Sequence, residues 1–98
     1  MSERKVVDAT NHIPRKRGNG VLRREVWVDG AGQVTRYNLA YINHDICGID
    51  NGRVVGYDNA HGFHHRHFMG QVEPIEFTSY EDVEERFELD YLAMKEWK

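Results

Sequence analysis

From Val21 to Ile42 the chain carries two runs of β-branched and aromatic residues around the turn sequence Asp29-Gly30-Ala31-Gly32. No other feature constrains the fold as much. A strand over Val21–Val28 and a second from about Gln33 to Ile42 make an antiparallel hairpin, because glycine and aspartate supply the turn and the flanking runs suit a pleated surface. In the second strand the period of two puts Thr35, Tyr37, Leu39 and Tyr41 on one face, and Val34, Arg36, Asn38, Ala40 and Ile42 on the other. A sheet with one aromatic face needs a cover, and the C-terminal segment offers one. Tyr80, Val83, Phe87, Tyr91 and Met94 recur at steps of three and four, which is an apolar helical stripe. Ser79 is placed as its N-cap with Asp82 three residues on, the early acidic residues favour the helix N-terminus, and Lys95 and Lys98 favour its C-terminal end.

Between hairpin and helix the same reasoning predicts strands at Ile46–Ile49, Arg53–Tyr57 and His64–Met69. The pair Asn51-Gly52 turns the first into the second, and a short extended piece follows at Ile75–Phe77. The predicted fold class is therefore α+β: an antiparallel meander sheet of about five strands packed by one C-terminal helix. Residues 1–20 lack steady periodicity and hold Pro14-Arg15-Lys16-Arg17 before Gly18-Asn19-Gly20, so they read as a basic, mobile N-terminal arm ahead of a single domain over 21–98. A chain of 98 residues supports one core.

Composition narrows the function classes. No apolar run approaches the roughly 20 residues that span a bilayer, and the N-terminus lacks the apolar segment of a secretory signal, so a cytoplasmic location without membrane attachment is expected. Cys47 is the sole cysteine, which excludes an internal disulfide and a cysteine-based zinc cluster, and it reads as a small buried apolar residue. The net charge of −3 conceals an asymmetry: residues 1–72 sum to +3 and residues 73–98 to −6. A basic front with an acidic tail fits a nucleic-acid binder whose acidic part faces away or meets a basic partner; it equally fits two solvated faces.

Four of the six histidines fall in the segment Asp58-Asn59-Ala60-His61-Gly62-Phe63-His64-His65-Arg66-His67. Imidazole exchanges protons near neutrality and is the commonest metal ligand, so three readings stand side by side. In the first, His65 and His67 share one strand face with β-carbons roughly 7 Å apart and act as the acid–base pair of a metal-independent ribonuclease, needing no cofactor. A cation must then offset charge on the phosphorane, and Arg66, Arg36 or Arg53 are the candidates. In the second, Asp58, His61 and two of His64, His65 and His67 bind a metal, although the spacing matches no specific metal motif. In the third, the histidines are structural. His12 and His44 stand alone and take the structural reading.

The pieces Val55-Gly56-Tyr57-Asp58-Asn59, His61-Gly62, His64-His65-Arg66-His67, Glu73-Pro74-Ile75-Glu76-Phe77 and Ser79-Tyr80-Glu81 together resemble the TumE-type toxin family, over roughly residues 33–98. The resemblance implies the toxin component of a type II toxin–antitoxin module, encoded beside a helix-turn-helix antitoxin that neutralises it. The matching residues are Asp58, Asn59, His65, Arg66 and His67. On this reading His65 and His67 are the catalytic pair, Asp58 orients an imidazole and Arg66 holds phosphate. His61, His64, Arg15, Lys16, Arg17, Arg36 and Arg53 bind RNA, the metal set is empty, and the partners are RNA and the antitoxin, with a homodimer also admitted. The rival is a non-catalytic module that grips nucleic acid through Arg15–Arg17, Arg23, Arg24 and Arg36, with Tyr37 and Tyr41 stacking on bases.

Overall fold

In the computed structural model, which describes residues 3–95 and His61 by its backbone alone, six strands form one antiparallel sheet in chain order. They are β1 (Arg4–Ile13), β2 (Gly20–Val28), β3 (Val34–Ile42), β4 (Arg53–Asp58), β5 (His65–Phe68) and β6 (Gln71–Pro74), followed by the helix α1 (Tyr80–Lys95). The α+β meander with one covering helix is the predicted architecture, with six strands in place of about five. Lys98, read as part of the helix C-terminus, lies outside the described residues. No described helix is long and apolar enough to cross a membrane.

The β2–β3 hairpin pairs from Val21↔Ile42 to Val28↔Val34, and the bulge at Trp27/Val28 sets Thr35 apart from the ladder. Tyr37, Leu39 and Tyr41 are buried on the face that meets α1. They pack with Val55 and Tyr57 of β4 and with Val83, Phe87 and Met94 of the helix. Burying one such side chain contributes about 1.5–3 kcal/mol. The aromatic contacts are edge-on: Tyr41 to Tyr91 at 5.0 Å and Tyr57 to Phe87 at 6.5 Å between ring centroids. Ser79 caps the helix as its position suggests, its Oγ accepting from Asp82 N at 3.1 Å.

Three local expectations change. Residues 4–13, read as part of a mobile arm, form β1 and pair with β2 from Arg4↔Val28 to Ile13↔Gly20. Nearly every residue of β1 is exposed, so the strand rests on backbone pairing and leaves no apolar alternation for a sequence reader to find. The basic run Arg15–Arg17 is a short 3₁₀ turn joining β1 to β2.

Ile46–Ile49 is not a strand. β4 lies directly against β3 on one side and β5 on the other, which leaves no edge for it. Instead Asn43 closes a turn there: its carbonyl accepts from Ile46 N and Cys47 N, and its Oδ1 accepts from Asp45 N at 2.9 Å. Cys47 is buried, as expected. Asp50, Asn51 and Gly52 all adopt positive φ, so the Asn-Gly pair makes its tight turn, but as the end of a long β3–β4 connection. Finally, β5 is shorter than predicted, and the extended piece sits at Gln71–Pro74 instead of 75–77.

Candidate functional site

The sheet has two chemically different faces, and the period of two sorts the histidine segment between them. Tyr57 and Arg66 are paired across β4 and β5, and both reach α1. Asp58 is paired with His65, and Gly56 with His67, on the face that the helix does not cover. Asp58, His65 and His67 are nonetheless buried.

Asp58 is set by its neighbour. Asn59 bridges to β3, its Oδ1 accepting from Tyr37 N at 3.0 Å and its Nδ2 donating to Thr35 O at 3.0 Å. Asp58 Oδ1 also accepts from Ala60 N at 3.1 Å, which turns the chain into the loop before β5. Gly62, at φ +85, completes that loop in a conformation that L side chains rarely adopt.

The Asp58 carboxylate receives both imidazoles. His65 Nε2 lies 2.8 Å from Oδ1 and His67 Nε2 lies 3.0 Å from Oδ2, with the two rings 4.8 Å apart edge to face. The other nitrogens differ. His65 Nδ1 faces the Phe63 carbonyl at 3.1 Å, and the Phe63 ring leans on the His65 ring at 4.8 Å. His67 Nδ1 is buried with no hydrogen-bond partner, 3.9 Å from Asp50 Oδ2. Burial, and next the Arg53 charge, lower the pKa of His67 below the usual imidazole value, which favours the neutral ring.

The cation at this centre is Arg53. Its Nε and Nη2 hold Asp50 at 2.9 and 3.1 Å, and its Nη1 stands 3.6 Å from Asp58 Oδ2. Gly56 makes this placement possible. A Cβ there would meet Arg53 Cδ at 2.8 Å and the Leu39 carbonyl at 2.9 Å. Beside Arg53 a cleft of about 230 Å³ opens, lined by Arg23, Asn38, Ala40, Asp50 and Asn51 among others. Asn38 Oδ1, on the same face, is also buried without a partner.

Arg66, read from the sequence as the phosphate holder, is turned to the opposite face. Its Nε donates to Asp90 at 2.9 Å and its Nη1 to Glu73 at 3.1 Å, while Tyr57 Oη donates to the same Asp90 oxygen at 2.6 Å. Burial opposes its charge, but the Asp90 bond holds Arg66 protonated. The arginine pins α1 to the sheet.

His64 also leaves the centre. It stacks on Phe77 at 3.9 Å and meets Tyr37 Oη at 2.9 Å. Burial, and next the Asp58 charge, push the Tyr37 phenol up to about 12, so the phenol donates to His64 Nδ1. Burial and then His65 lower the pKa of His64.

Arg36 is occupied by the Trp27 ring at 4.0 Å and by Glu3 at 3.0 Å. Arg15 lines a separate cleft with His12, Pro14 and His44 at the β1–β2 connection, and Lys16 and Arg17 share that exposed turn. The His61 side chain lies outside the described residues. Tyr37 and Tyr41 are each only 1% exposed, which removes them as base-stacking platforms.

Asp50 is the member of the centre that the sequence reading missed. Its signal was its place three residues before Arg53, the spacing at which the two pair.

A family model described as Toxin TumE matches residues 16–95. Neither the curated proteins nor the solved structures provide a match.

Proposed function

This chain belongs to the TumE toxin family, and on that premise we propose that it is the toxin of a type II toxin–antitoxin module and cleaves RNA at the Asp58–His65–His67 centre. The observation that carries the reading is His67. Its Nε2 is held by the Asp58 oxygen that stands 3.6 Å from the Arg53 guanidinium, while its Nδ1 is buried without a hydrogen-bond partner.

A carboxylate that fixes one nitrogen selects the tautomer in which the other accepts a proton. In the metal-free form His67 Nδ1 takes the proton of an RNA 2′-hydroxyl, and the 2′-oxygen bonds to the adjacent phosphorus. The bond from phosphorus to the 5′-oxygen breaks, and the leaving oxygen takes a proton from His65. Arg53, not Arg66, offsets the charge of the phosphorane. The cleft beside Arg53 is the approach for the backbone, with Arg23 as a second phosphate contact.

The partner is a helix-turn-helix antitoxin encoded beside the toxin. The outer face of α1 supports a basic surface on it, since Glu81, Glu84, Glu85 and Glu88 surround Leu89 and Leu92 there.

Purified protein incubated with labelled RNA is the test. Cleavage is expected, and His67→Ala and Arg53→Ala should each lower it by at least 10²-fold while circular dichroism stays unchanged. RNA left intact by the unsubstituted protein, or cut equally by both variants, discards the ribonuclease reading.

A further inference from the structure

The proton inventory of the centre does not close with the residues alone. A neutral imidazole has one donor and one acceptor nitrogen. His65 faces acceptors at both, the Asp58 carboxylate at Nε2 and the Phe63 carbonyl at Nδ1. His67 has the reverse defect: Nε2 faces Asp58, and Nδ1 is buried against nothing within hydrogen-bond distance, although the Asp50 carboxylate stands 3.9 Å away. Both rings also send Nε2 to one carboxylate, and all three ligand atoms lie within 4.8 Å of one another.

One change resolves both defects. With a cation between Asp58 and the two Nε2 atoms, each ring becomes neutral and carries its proton on Nδ1. His65 Nδ1–H then donates to Phe63 O, where the distance is already 3.1 Å. His67 Nδ1–H then has the Asp50 carboxylate as its acceptor. Ligating histidines as a rule donate their second nitrogen to a backbone carbonyl or a carboxylate, and this centre provides one of each. Asp50 can accept the extra bond, because a carboxylate offers about four lone-pair sites and Arg53 uses two.

We infer that Asp58, His65 and His67 form a binding site for one divalent transition ion of the zinc class, with Phe63 O and Asp50 as orienting groups. Two imidazoles and one carboxylate suit such ions and leave a position open for water or a phosphate oxygen. His64, stacked on Phe77, takes no part. The inference concerns binding alone; with the ion bound His67 Nδ1 carries a proton and is no longer a base, so the RNA reading belongs to the metal-free form.

The test uses full-length protein stripped with a chelator and titrated with zinc chloride by calorimetry, and with cobalt chloride by visible absorption. One equivalent should bind, with cobalt showing the intense bands of a low-coordinate site and the melting temperature rising as zinc saturates. His65→Ala and His67→Ala should each abolish the stoichiometric site, and His64→Ala should leave it intact. Asp50→Asn should weaken it about 10–100-fold.

The inference is overturned by the absence of a stoichiometric site, by its survival in both His65→Ala and His67→Ala, or by equal damage from His64→Ala. If the ligand variants fail to fold, Asp50→Asn and His64→Ala decide: a loss in the first with retention in the second upholds the site, and any other pattern rejects it. RNA cleavage is a separate readout. Stoichiometric metal with intact RNA keeps the site and drops the ribonuclease, whereas cleavage by chelated protein that rebinds no metal does the reverse.

Discussion

The two faces of the sheet solve opposite problems. The face under α1 is aromatic: Tyr37, Tyr41 and Tyr57 meet Phe87 and Tyr91, and its charged pair, Arg66 with Asp90, is shared with the Tyr57 hydroxyl. The opposite face is ionic. It runs from Lys5, Asp8, Arg23 and Glu25 across Asn38 to Arg53, Asp58, His65 and His67. On the covered face Arg66, Asp90 and the Tyr57 hydroxyl are matched to one another and serve packing, while on the other face two buried polar atoms, Asn38 Oδ1 and His67 Nδ1, lack hydrogen-bond partners; a third, Asp82 Oδ2 on α1, lies 3.0 Å from Arg86 Nε. Buried polar groups without partners cost free energy, so their presence beside Asp58 and Arg53 marks that face as the candidate site.

Substitutions can break this division. The largest effect is expected from Phe87→Ala on the covered face. Removing a ring that is 1% exposed should cost about 3–5 kcal/mol, read as a lower urea midpoint; a loss under about 1 kcal/mol would mean that the helix does not carry the core. Gly56→Ala comes next. The added methyl collides with the Leu39 carbonyl and Arg53 Cδ, so about 1–3 kcal/mol of strain is expected, together with displacement of Arg53. If stability falls while RNA cleavage is unchanged, Arg53 is not the cation of the reaction. The smallest effect belongs to Arg36→Ala, whose exposed pair with Glu3 and contact with the Trp27 ring should together contribute no more than about 1 kcal/mol. A larger change in thermal midpoint would show that the ionic face supports stability as well.

Part of the site is legible in the sequence. His65 and His67 fall on one face because they are two residues apart on a strand, and Arg66 must therefore point away from them. That same periodicity spoke against Arg66 as phosphate holder, and the β4–β5 pairing has no register shift that would bring it back. Asp58 was legible as a candidate, but its position opposite His65 depends on the β4–β5 register. β1 was not legible, since an exposed edge strand carries no alternating pattern. Asp50 was hidden for another reason: the preceding segment Ile46–Ile49 looked like a strand, which would have pointed Asp50 into a hairpin turn and not over His67.

The β2–β3 hairpin, the aromatic stripe of α1, its Ser79 cap and the sorting of side chains to two faces follow from local chemistry, because period and capping act over a few residues. The convergence of Asp58, His65, His67, Asp50 and Arg53 belongs to the tertiary structure alone. Register between strands and the path of the 43–52 connection decide it, and both depend on contacts between residues far apart in the chain.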